Sequence, residues 1–127
     1  MTSFGKLQRD EAHAAEVYAL HNAPVILYGH THLPVVFSID EHDNVSGTAI
    51  RGDTTVRLFP RLRYLINPGS VGQPRDRNPA ASFAIFDSQR MTTQFFRVPY
   101  DVGKTQAAIL KAGKEAGVYG RESRACR

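Results

Sequence analysis

The sequence has little with which to cross-link itself. It contains one cysteine, Cys126, in 127 residues, so no disulfide can form within the chain. Nothing in it asks for an oxidising compartment, and cytoplasm is the expected location. Tryptophan is absent, and no run approaches the roughly 18 to 20 consecutive apolar residues that a membrane-spanning helix needs. The opening Met1-Thr2-Ser3-Phe4-Gly5-Lys6 lacks the basic-then-apolar layout of a secretory leader. Gly-x-Ser-x-Gly, Gly-x-x-x-x-Gly-Lys and Cys-x-x-Cys do not occur. Nucleophile-elbow, phosphate-loop and paired-thiol chemistry are thereby set aside.

What is present is an ordinary globular composition, 42% apolar and 22% charged, with a formal charge of +4. Such a chain is one domain or a piece of one, and it can bury a core. Arginines gather at 51, 57, 61, 63, 75 and 77, and again at 121, 124 and 127. A stripe of this kind attracts nucleic acid or a phosphorylated substrate. These arginines alternate with apolar residues and no aromatic stacking platform accompanies them, so a solvated face is the favoured reading. Nucleic acid is expected only as a substrate.

Residues 1–23 read as a helix, with Ala14, Val17, Tyr18 and His21 at the i, i+3, i+4, i+7 spacing of one face. Pro24 ends it. The unalternated run 25–28 (Val-Ile-Leu-Tyr) has the pattern of a strand covered on both faces. It also looks incomplete, since a parallel strand needs neighbours of its own kind. From 33 to 98 the pattern is β: strands at 35–39 and 45–50 around a turn at 40–44, a half-buried strand at 54–59, another at 63–66 broken by Asn67-Pro68-Gly69-Ser70, and an antiparallel pair at 82–87 and 92–98. A helix is expected from 103 or 104 to about 112, and a polar tail from 114 to 127 is expected to fray. The fold class is α+β, with more strand than helix.

Two segments carry chemistry. Gly29-His30-Thr31-His32 sits directly after the 25–28 strand, where open α/β sheets bind ligands. In an extended stretch, residues at i and i+2 project to the same side, so His30 and His32 could both reach one metal or take one each of two. The alternative is a pair of surface histidines in a loop. The second segment is Asn67-Pro68-Gly69-Ser70-Val71-Gly72-Gln73-Pro74-Arg75-Asp76, whose prolines and glycines specify a rigid path. Its functional reading gives Arg75 a phosphate to bind; Asp76 then serves as partner to Arg75 or to a neighbouring arginine. His13 and His21 read as polar helix positions, and His42, among Asp40, Glu41, Asp43 and Asn44, as a solvated turn.

Taken together, Leu27-Tyr28-Gly29-His30-Thr31-His32-Leu33-Pro34 and Leu65-Ile66-Asn67-Pro68-Gly69-Ser70-Val71-Gly72-Gln73-Pro74-Arg75 resemble the calcineurin-like metallophosphoesterase superfamily, in its small bacterial and archaeal phosphodiesterase branch. The likeness runs from about residue 10 to 113. It implies the strand-rich C-terminal portion of a four-layer α/β/β/α sandwich, with a two-metal site at the strand ends. By resemblance, His30 serves one metal and His32 the other, and manganese, iron, zinc or nickel would suit the shell. The reaction implied is hydrolysis of a phosphate mono- or diester by metal-activated water.

The likeness is to the C-terminal half only. The family's Asp-x-His, its Gly-Asp with a bridging carboxylate, its Gly-Asn-His and its further histidine are missing. Gly52-Asp53 comes after His32, in the wrong order. The chain is therefore expected to be incomplete at its N-terminal side over 1–113 and inactive alone. It is expected to self-associate or to pair with the missing half. The competing reading is a non-catalytic binding or interaction module holding at most one metal at His30 and His32.

Overall fold

The computed structural model describes residues 3–116. A helix α1 (Ser3–Leu20) is followed by strands β1 (Val25–Leu27), β2 (Pro34–Ile39), β3 (Val45–Ala49), β4 (Thr54–Arg57), β5 (Arg63–Pro68), β6 (Ala81–Asp87) and β7 (Thr92–Val98), then by helix α2 (Val102–Ala116). The strands form a four-stranded sheet in the order β1-β5-β2-β3 and a three-stranded sheet in the order β4-β7-β6. All pairings are antiparallel except β1 with β5, which is parallel, Val25 opposite Tyr64 and Leu27 opposite Ile66.

Residues of β2 and β5 divide between two cores. Val35, Phe37, Ile39 and Leu65 pack with Ala14 and Tyr18 of α1. The intervening residues Val36, Tyr64 and Ile66 turn the other way, onto Phe95, Leu58 and Ile50 between the sheets. A strand covered on both faces reads as a continuous apolar run because neither face can be polar. That pattern was expected of residues 25–28, where Val25 packs toward the core between the sheets and Ile26 and Tyr28 toward the α1 core, and β2 and β5 carry it more fully. β1 has β5 on one edge and no strand on the other among the described residues. Leu27 is left 57% exposed.

The hydroxyl of Tyr18, buried at 2% exposure, donates toward the carbonyls of Phe37 at 3.0 Å and Arg63 at 3.2 Å. The Arg63 guanidinium lies over its ring at 5.2 Å and donates to the carbonyls of Tyr18 and His21. These contacts fasten the end of α1 to the sheet. His21, expected on the apolar face, lies beyond the helix and is exposed. The Glu11 carboxylate accepts the Gly47 N–H at 3.0 Å, tying α1 to β3.

β4 keeps the expected alternation but stops at Arg57, with Leu58 buried and Phe59 turned outward. At the start of α2 the Asp101 carboxylate accepts the Lys104 N–H, an N-cap. Val102, Thr105, Gln106, Ile109 and Gly113 make its covered stripe. α2 continues past the expected stop near 112 to Ala116, into the segment expected to fray. Residues 117–127 lie outside the described residues. No described helix is long and apolar enough to cross a membrane.

Candidate functional site

Parallel pairing of β1 with β5 sends the loops that follow them out at the same end of the sheet. The first loop carries Gly29 to Leu33, the second Gly69 to Ala80. Chain order separates them widely, yet hydrogen bonds knit them together. Asn67 is fully buried, at 0% exposure. Its amide nitrogen donates to the Gly29 carbonyl at 3.3 Å and the Thr31 hydroxyl at 2.9 Å, and its amide oxygen accepts the Gly69 N–H at 2.9 Å. The Arg75 N–H donates to the His32 carbonyl at 3.4 Å. A breaker had been expected at Asn67; β5 instead runs through it to Pro68, with Asn67 opposite Val35.

The histidine segment is not extended. His30 has φ 80° and His32 φ 60°, a left-handed conformation uncommon for residues with a side chain. The Thr31 N–H folds back on the Gly29 carbonyl at 3.1 Å. The same-side geometry expected of i and i+2 in a strand is thus replaced by two successive left-handed kinks. Such strain persists where surrounding contacts over-determine the backbone, here those of Asn67 and Arg75.

Nδ1 of His32 lies 2.9 Å from the Gln73 carbonyl oxygen. A carbonyl can only accept, so Nδ1 carries the proton and, in the neutral ring, Nε2 keeps its lone pair. His30 faces a cleft of about 980 Å³ that Arg75, Asp76, Arg77, Arg51 and His13 also line. Arg75 therefore shares a cleft with His30. Its expected neighbour Asp76 is committed elsewhere: Arg97, 7% exposed, grips both its oxygens at 2.8 and 3.1 Å and the Asn78 carbonyl at 2.6 Å.

Other candidates separate in space. Asp53 accepts the Arg97 N–H at 2.8 Å and is no substitute ligand. His42 sits at the β2–β3 hairpin tip, its N–H on the Asp40 carboxylate at 2.8 Å, as a solvated turn predicts. His13, read as a plain helix position, lies within 3.5 Å of Glu16 and faces the same cleft as His30. Among the described residues no group of three or more His, Cys, Asp or Glu could hold a metal ion. His32 has the anchored ring of a ligand, but two imidazoles without a carboxylate do not make a two-metal shell.

A helix laid on a mixed sheet, a second antiparallel sheet behind it, and a histidine loop beside a rigid Asn-Pro-Gly loop define part of a phosphoesterase sandwich. Residues 3–91 match the calcineurin-like phosphoesterase superfamily domain, and the chain belongs to that superfamily. It is 39% identical over 87 residues to the uncharacterised protein MJ0912 of Methanocaldococcus jannaschii, covering 68% of this chain and 33% of that protein. It superimposes on the crystal structure of a metallophosphoesterase from Sphaerobacter thermophilus with a TM-score of 0.71 and 34% identity, over 89% of this chain and 44% of the other. The chain thus spans less than half the length of both.

Proposed function

We propose that this chain supplies the C-terminal share of a metal-dependent phosphoesterase centre and does not by itself hydrolyse phosphate esters. The observation that carries the reading is the His32–Gln73 hydrogen bond, which fixes the ring and frees Nε2. Metal-bound histidines are held this way by a partner on their other nitrogen. The chemistry of the donor set also limits the role. By their chemistry, His30 and His32 suit at most one divalent ion of the imidazole-seeking kind, zinc, nickel, manganese or iron. A second ion needs carboxylates that no cluster of described residues offers. No hydrolytic step is therefore assigned to the chain alone; its own part is to orient imidazoles and to bring Arg75 to the substrate side.

The test is hydrolysis of bis(p-nitrophenyl) phosphate by the purified chain with added Mn²⁺. No turnover above the metal blank is expected. Turnover that His30→Ala abolishes would overturn the reading.

The open edge of β1 favours a second reading beside it, that of a binding module which adds a partner strand there. In that case the chain holds one ion at most and forms a stable stoichiometric complex, which sedimentation analysis would detect.

A further inference from the structure

The cleft beside His30 has a mixed lining. Val17, Ile26, Leu33 and Val35 contribute apolar surface. Three arginines from separate parts of the chain line it as well. β3 returns antiparallel to β2, with Ala49 opposite Val35 and the Ile50 N–H on the Pro34 carbonyl. This brings Arg51 to the sheet end where the histidine loop lies. Arg75 and Arg77 come from the loop after β5 and line the same cleft. All three side chains are exposed, and none has a hydrogen-bond or ion-pair partner among the described residues.

Among the described residues, the one carboxylate that lines this cleft does not neutralise them. Both oxygens of Asp76 are occupied by Arg97, a nearly buried guanidinium that also holds the Asn78 carbonyl. Arg97 therefore fixes the loop from behind and consumes its negative charge. Arg77 holds φ 67°, a conformation a non-glycine residue seldom takes. Cationic side chains that line one cleft without a counter-charge favour the entry of an anion. Guanidinium groups match phosphate oxygens in pairs.

We propose that Arg51, Arg75 and Arg77 form an oxyanion-binding part of this cleft, which takes a phosphate carried on an apolar body lying along Ile26 and Leu33. The site deepens the phosphoesterase reading by naming the substrate class, an apolar or aromatic organic phosphate, and rests on that reading for its role. Binding at the arginines requires no metal and no turnover.

The experiment is titration calorimetry of the whole chain in EDTA, with phenyl phosphate and inorganic phosphate as probes. Phenyl phosphate should bind about fivefold more tightly than inorganic phosphate, since its ring reaches the apolar lining. The double variant Arg51→Gln/Arg77→Gln should lose about tenfold, each single variant about threefold, and Arg61→Gln, an exposed arginine outside the cleft, nothing. Affinity for phenyl phosphate should fall as salt rises. Absent binding, unchanged affinity in the arginine variants, or an equal loss in Arg61→Gln would overturn the site. Equal affinity for the two probes would overturn the substrate class. Because EDTA removes any metal, loss of this site and failure of the phosphoesterase reading give different results: the first abolishes binding here, while the second leaves it intact.

Discussion

Nδ1 of His32 donates to the carbonyl of Gln73, 41 positions further along the sequence, at 2.9 Å. The acceptor is backbone, so the Gln73 side chain is dispensable to the bond. Titration with Ni²⁺ or Zn²⁺ should give no more than one ion per chain, and His32→Ala should remove it. Gln73→Ala should leave metal affinity unchanged within about twofold, whereas a loss of about tenfold or more is the effect expected of breaking a partner that orients a metal-bound histidine. A second ion per chain, or a loss in Gln73→Ala equal to that in His32→Ala, would refute the arrangement.

Asn67 is the link between the two loops. Replacing it with alanine takes the acceptor from the half-buried Gly69 N–H, removes the donor to the exposed Thr31 hydroxyl and leaves a void where the buried amide was. An orphaned N–H costs about 1–3 kcal/mol, and a void adds to it. Asn67→Ala should therefore lose about 2–4 kcal/mol in urea unfolding and weaken metal binding as well. A fully stable variant would show that the loops hold together without it.

Gly69 occupies φ +88°, and a Cβ there would lie 2.7 Å from Oγ and 2.8 Å from Cβ of Ser82, with Pro34 at 3.2 Å. Ser82 cannot withdraw freely, because its hydroxyl donates to the Pro68 carbonyl at 2.7 Å. Strain from the left-handed backbone and overpacking add. Gly69→Ala should cost about 2–4 kcal/mol, whereas Gly72→Ala, with open space around it, should cost well under 1 kcal/mol. Thermal unfolding of the pair measures the contrast.

Stability should fail at both pH extremes for identifiable reasons. Burial pushes the Tyr18 phenol above its ordinary value of 10.0, against the opposing effect of Arg63. The folded state thus binds that proton more tightly; its contribution is complete below about pH 10 and is lost as pH rises beyond it. Tyr18→Phe should flatten the alkaline fall. At the acid end, the Asn44 side chain holds Asp40 below its ordinary 3.8, and the Arg90 N–H does the same for Asp87. Lowered folded values stabilise above that range, and the gain disappears as pH drops below it. Asp40→Ala should reduce stability at pH 7 and remove part of the acid transition, as followed by circular dichroism.

Much of this fold was legible in the residues. The 35–39 and 63–66 runs, the 82–98 pair and both helices follow from apolar spacing and from Pro24, Gly and Asn at the breaks. At 25–28 the lack of alternation matches packing on both faces, Val25 on one core and Ile26 and Tyr28 on the other, and only Leu27 is left open. Asn67 escaped notice because a polar residue after an apolar run reads as a break, while its burial depends on partners at Gly29 and Thr31 far earlier in the chain. The Asp76–Arg97 pair was hidden for the same reason; only the β6–β7 hairpin brings Arg97 back to the loop. His30 and Arg75 could be singled out because residue type and local breakers mark them, whereas their common cleft depends on parallel pairing that no local pattern encodes.

β1 is three residues long and, among the described residues, paired on one side only. It is too slight to hold the histidine loop that grows from it. The loop takes its shape from the far side instead, through Asn67, Gln73 and Arg75. The strand that precedes the histidines in sequence is therefore not the one that governs them. A neighbour added to the free edge of β1 would meet a loop already set, with the His32 ring held by Gln73 before it arrives.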